Sequence, residues 1–132
     1  MESRFTLAHN WFSKADKDLK NAELIFMADS VEKPYDTVCF HCQQVAEKYL
    51  KGFLLYLGIT FPKTHNIEVL MDLVSQNYPE MNEYFQAVAL TYYAVENRHP
   101  DDFVEIQEDE AKEAYRFAKE VKSFVMKHLG TL

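Results

Sequence analysis

Apolar residues recur every three or four positions along most of the chain, the spacing of a helix face and not the alternation of a half-buried strand. Pro34, Pro62, Pro79 and Pro100 cut this pattern into five segments. In the first, Leu7, Trp11, Ala15, Leu19, Ala22 and Phe26 form one stripe while Lys14, Lys17, Asp18 and Lys20 occupy the other side, which predicts an amphipathic helix. The second runs from about Tyr35 to Leu57 and carries Val38, Cys42, Val45, Tyr49, Phe53 and Leu57, with Gly58 placed to end it. Thr64-His65-Asn66 supplies a polar cap before Ile67, Leu70, Met71 and Val74, so a short helix is predicted over 66–76. A fourth helix after Pro79 would bury Met81, Tyr84, Phe85, Val88 and Tyr92. It would stop before Arg98-His99-Pro100, because the residue preceding a proline is pushed out of helical geometry. The fifth, from about Gln107 to Leu129, aligns Ala111, Ala114, Phe117, Ala118, Val121, Phe124 and Val125, with Gly130 just beyond.

Three long helices and two shorter ones with short connections predict an all-α, up-and-down bundle of about five helices, one domain over residues 1–132. Composition agrees: 48% hydrophobic and 27% charged residues rule out a disordered chain. Only three glycines and four prolines disfavour a many-stranded fold and leave no Gly-rich phosphate loop, so any phosphate has to be held by side chains. Two cysteines make no disulfide framework, the opening residues lack the pattern of a secretory leader, and no apolar run reaches membrane-spanning length. The expectation is a cytoplasmic protein without membrane contact. The net charge is −7, but residues 35–64 alone carry +1. A broad basic face for duplex DNA is thereby excluded, while one small basic cleft on an acidic protein is not. The wide apolar faces of the long helices leave room for a dimer interface as well as a core.

Several groups offer chemistry. Cys39-Phe40-His41-Cys42 has the look of a zinc or redox motif, but on a helix His41 lies about 200° round from Cys39 and no second thiol pair completes a ligand set; the cysteines read as small buried hydrophobes. His41, Gln44, Glu47, Lys48 and Lys51 fall within a stripe of about 120° on the second helix, where two amines, an imidazole and an amide can grip an anion. The competing reading is a solvated face with a Glu47–Lys51 ion pair worth a few tenths of a kcal/mol. Arg98 and His99 combine a bidentate phosphate binder with a proton carrier, or else cap the carbonyls at the end of the fourth helix. Asp101, Asp102, Glu105, Glu108, Asp109 and Glu110 suit the positive end of the fifth helix better than a calcium loop, whose glycine they lack. His65 reads as a cap or core-edge histidine and His128 as a last-turn residue, so neither metal nor cofactor is expected.

The run Phe40-His41-Cys42-Gln43-Gln44-Val45-Ala46-Glu47-Lys48-Tyr49-Leu50-Lys51 resembles the signature helix of the HEPN family, the higher eukaryotes and prokaryotes nucleotide-binding domain. Gly58, Thr64-His65-Asn66-Ile67, Tyr93 and Arg98-His99-Pro100 follow in the matching order. The resemblance implies a helical bundle that pairs as a homodimer, often encoded beside a minimal nucleotidyltransferase in prokaryotes as a toxin–antitoxin-like module. It also implies a cleft in which His41, Gln44, Lys48, Lys51 and Arg98 border a nucleotide or another phosphate ligand. Ribonuclease members carry an arginine and, after four to six intervening residues, a histidine. Arg98 matches that arginine, but the corresponding positions hold Phe103, Val104 and Glu105, and His99 is adjacent instead. Losing a positioned imidazole costs acid–base catalysis a factor of order 10² to 10⁴. A nucleotide-binding or partner-binding module without RNA cleavage is therefore the leading expectation, and a metal-independent ribonuclease toxin using Arg98 with His99 or another nearby histidine at a dimer cleft the alternative.

Overall fold

The second helix is the axis of the molecule. The computed structural model describes residues 3–94 and 105–130, which form four α-helices and one long 3-10 segment, with no strand among them. They are α1 (Arg4–Met27), α2 (Tyr35–Leu57), α3 (Ile67–Ser75), the 3-10 segment (Pro79–Tyr93) and α4 (Glu108–Leu129), arranged as an all-α bundle. Each of the other elements packs against α2. That helix is accordingly buried almost all round, polar Gln43, Glu47 and Lys51 included.

The helix ends follow local chemistry. Ser3 accepts from the Thr6 amide at the start of α1, and Asn66 accepts from the amides of Glu68 and Val69 at the start of α3. Gly58 ends α2 in the left-handed conformation (φ 76°, ψ 25°), its amide reaching Leu55 O and that of Ile59 reaching Leu54 O, a closure that a Cβ would strain. Glu108, Asp109 and Glu110 open α4, as the dipole reading expects. Asp101 and Asp102 lie outside the described residues.

All seven apolar residues expected inside on α4 are buried, and so are all four on α3. Both cysteines are buried, and neither is in a disulfide. Two stripes differ from expectation. At the start of α1 the core residues are Ala8 and Phe12, one position on from Leu7 and Trp11. The cause lies on α2: Gly52 has no side chain, and a Cβ there would stand 2.6 Å from the Phe12 ring, so this ring fills the gap and stacks on Tyr49 at 5.3 Å.

The segment after Pro79 winds as a 3-10 helix with a kink at Tyr84, not as an α-helix. Its repeat is therefore three residues, and Met81, Tyr84, Ala87, Leu90 and Tyr93 line up inward while Phe85 and Tyr92 are exposed. Fifteen residues cover about 30 Å at the 3-10 rise against about 22 Å at the α rise, so the thinner winding spans more of the bundle. Thr91 Oγ1 ties it to α3 by accepting from the Ile67 amide at 2.9 Å, and the Tyr93 hydroxyl donates to Glu110 on α4.

Candidate functional site

Where α1 crosses α2, the polar stripe of α2 is gathered into two carboxylate-centred clusters. The outer one belongs to Asp18 on α1. Its Oδ2 accepts from Lys48 Nζ at 2.6 Å and its Oδ1 from His41 Nδ1 at 2.8 Å. Asp18 follows Ala15 by three residues and precedes Ala22 by four, so it sits among the small residues that bring the two helices close. The expected solvent-facing aspartate is thus buried.

The inner cluster belongs to Glu47, which accepts from Gln43 Nε2 at 2.9 Å, Lys51 Nζ at 3.0 Å and His65 Nδ1 at 2.8 Å. Gln43 Nε2 also reaches the His65 carbonyl, and its Oε1 accepts from Gln44 at 2.7 Å. Burial pushes the Glu47 carboxyl up, but the hydrogen bonds from Gln43, His65 and Lys51 outweigh it and hold the group below the ordinary carboxylate value. Among the described residues no buried side-chain polar atom lacks a partner.

The two carboxylate–lysine pairs differ in depth, whereas His65 of the inner cluster is itself 42% exposed. The side chains of His41 and Lys48 keep 18% and 21% exposure, those of Lys51 and Glu47 only 8% and 4%. Of the residues expected to border a cleft, His41, Gln44 and Lys48 therefore share an accessible rim. Lys51 is turned inward, its ammonium committed to Glu47 and 5.7 Å from the Trp11 ring. The Glu47–Lys51 ion pair exists, but in the interior and not on a solvated face. Arg98 and His99 lie outside the described residues.

Sequence reasoning passed over Asp18, Gln43 and the His65–Glu47 contact. The alanines flanking Asp18 were the available signal, and Gln43 stands one helical turn before Glu47. His128 is a last-turn residue as expected, its Nδ1 donating to Phe124 O and its Nε2 3.1 Å from Glu80. The groove of about 550 Å³ between α1 and α4 is lined by Glu23, Phe26, Met27, Lys112 and Tyr115 among others and contains none of the stripe. No three His, Cys, Asp or Glu side chains among the described residues are placed to hold a metal ion, and no described helix is long and apolar enough to cross a membrane.

The family model for the HEPN domain matches residues 8–129, a span that takes in both clusters. The chain belongs to the HEPN-domain family. No curated protein and no solved structure matches it. Membership makes the chain, at family level, a nucleotide-binding or ribonuclease-type module, and residues 40–51 of α2 contribute polar side chains to both clusters.

Proposed function

We propose that this HEPN domain is a nucleotide-binding module that works as a homodimer with a minimal nucleotidyltransferase, as half of a toxin–antitoxin-like pair, and does not itself cleave RNA. The ligand's phosphate sits at the rim made by His41, Gln44 and Lys48, with Lys51 bracing that face from beneath and Arg98 as a further contact. The observation that supports the reading is the sharing of buried Asp18 by His41 and Lys48: one fixed carboxylate presents two nitrogen groups side by side at a partly exposed surface. The acidic remainder of the chain favours a small ligand over a long polyanion.

Calorimetric titration of nucleotides into the wild type, Lys48→Ala and Arg98→Ala tests the binding. Each substitution is expected to weaken it about tenfold or more; unchanged affinity, or no affinity in the wild type, refutes the reading. A single-turnover RNA cleavage assay is expected to give no product. Cleavage that disappears in His99→Ala would establish the ribonuclease alternative instead. Co-purification with the product of a neighbouring nucleotidyltransferase reading frame tests the partnership.

A further inference from the structure

Both carboxylates on this face are shared by one lysine and one histidine, and each histidine approaches through Nδ1 at 2.8 Å. In either cluster the lysine already cancels the carboxylate. The protonation of the histidine then decides between a net charge of zero and +1, and only the outer cluster has its lysine and histidine both at the accessible rim. The charged groups facing His41 are Asp18 from α1 and Lys48 from its own helix, and the Phe40 ring lies edge-on at 5.5 Å.

Hydrogen-bond direction adds a chemical constraint. A carboxylate only accepts, so Nδ1 of His41 must carry a proton, and in the neutral ring Nε2 is then a bare acceptor. An internal phosphodiester also offers acceptors only, so it is met at Nε2 only when the imidazole itself has taken up a proton. A phosphomonoester is different: its second ionisation lies near pH 6, so one proton can be held between its oxygen and Nε2, whichever group nominally owns it. Lys48 gives one of its three donors to Asp18 and can turn another to the same phosphate.

We infer that the His41–Lys48 rim takes the terminal phosphomonoester of a nucleotide together with one proton shared at His41 Nε2, in preference to an internal phosphodiester. The inference rests on the nucleotide-binding reading above and narrows its ligand class. Proton uptake accompanies binding where free ligand and free imidazole have both lost their protons.

The test is calorimetry near pH 8 with the four ribonucleoside monophosphates and their cyclic monophosphates, which share base and sugar but are mono- and diesters, in two buffers of different ionisation enthalpy. A monoester is expected to bind about tenfold or more tighter than its cyclic counterpart, with uptake approaching one proton. His41→Gln is expected to abolish the preference and the uptake while weak binding through Lys48 remains; the wild-type proton count needs no variant and stands if that variant fails to fold. Equal affinities for mono- and diester, both lowered by Lys48→Ala, overturn the phosphomonoester preference and leave the anion site standing. Binding without proton uptake also overturns it. Absence of binding by any of these ligands defeats both readings.

Discussion

The Asp18 and Glu47 clusters both join a carboxylate, a lysine and a histidine, with Gln43 added to the inner one, yet their carboxylate–lysine pairs sit at different depths. Glu47 and Lys51 are sealed between α2 and its neighbours, so their charges must satisfy one another. Asp18 is buried, but His41 and Lys48 still reach solvent. Similar chemistry is therefore placed differently: the inner pair is enclosed within the bundle, and the outer one keeps its two nitrogen groups at the surface.

Removing the inner carboxylate should have the largest effect. Glu47→Gln leaves the buried Lys51 ammonium without its counter-charge, and a loss of about 3–5 kcal/mol in urea unfolding is expected. A loss under about 1 kcal/mol would mean that Lys51 escapes to water and that the depth contrast is wrong. The same contrast has a pH signature. The folded Glu47 carboxyl is held below its ordinary value of 4.5, so its contribution is fully present above that value and is lost as pH falls through the lower, folded one. The stability gap between wild type and Glu47→Gln should narrow steadily on acidification below about pH 4.5. A gap that stays constant would remove the carboxylate charge from the account.

The outer cluster should respond more weakly. Asp18→Asn keeps the volume and leaves His41 and Lys48 free to turn to water, for a loss of about 1–2 kcal/mol. Lys48→Ala should cost about 1 kcal/mol, because His41 still donates to the buried Asp18 carboxylate, although it is expected to weaken nucleotide binding tenfold. Equal losses from Glu47→Gln and Lys48→Ala would erase the distinction between a structural and a ligand-facing cluster.

The elements that could be read from the chain are those whose signals are local. Asn66, Gly58 and the acidic start of α4 act within one turn of themselves, and the α4 stripe is so regular that every expected core residue is inside. Met81, Tyr84, Phe85, Val88 and Tyr92 fit an α-helical repeat by spacing alone, and the 3-10 segment departs from that predicted α-helix. The contacts to α3 and α4 instead hold a three-residue repeat that turns Leu90 and Tyr93 inward and leaves Phe85 outside. Nothing within the segment distinguishes the two windings.

The candidate site divides in the same way. His41, Gln44, Glu47, Lys48 and Lys51 share one stripe of α2 by helical geometry, so the stripe and the all-α bundle were determined by residue order and periodicity. Which members stay accessible was decided only when α1 and the loop before α3 closed over the stripe, bringing Asp18 to His41 and Lys48 across separations of 23 and 30 residues and His65 to Glu47 across 18. Periodicity gives the angle of a side chain about its own helix. The depth at which its charge is buried, and the partner that neutralises it, depend on a second helix whose approach was set by Gly52 and Phe12.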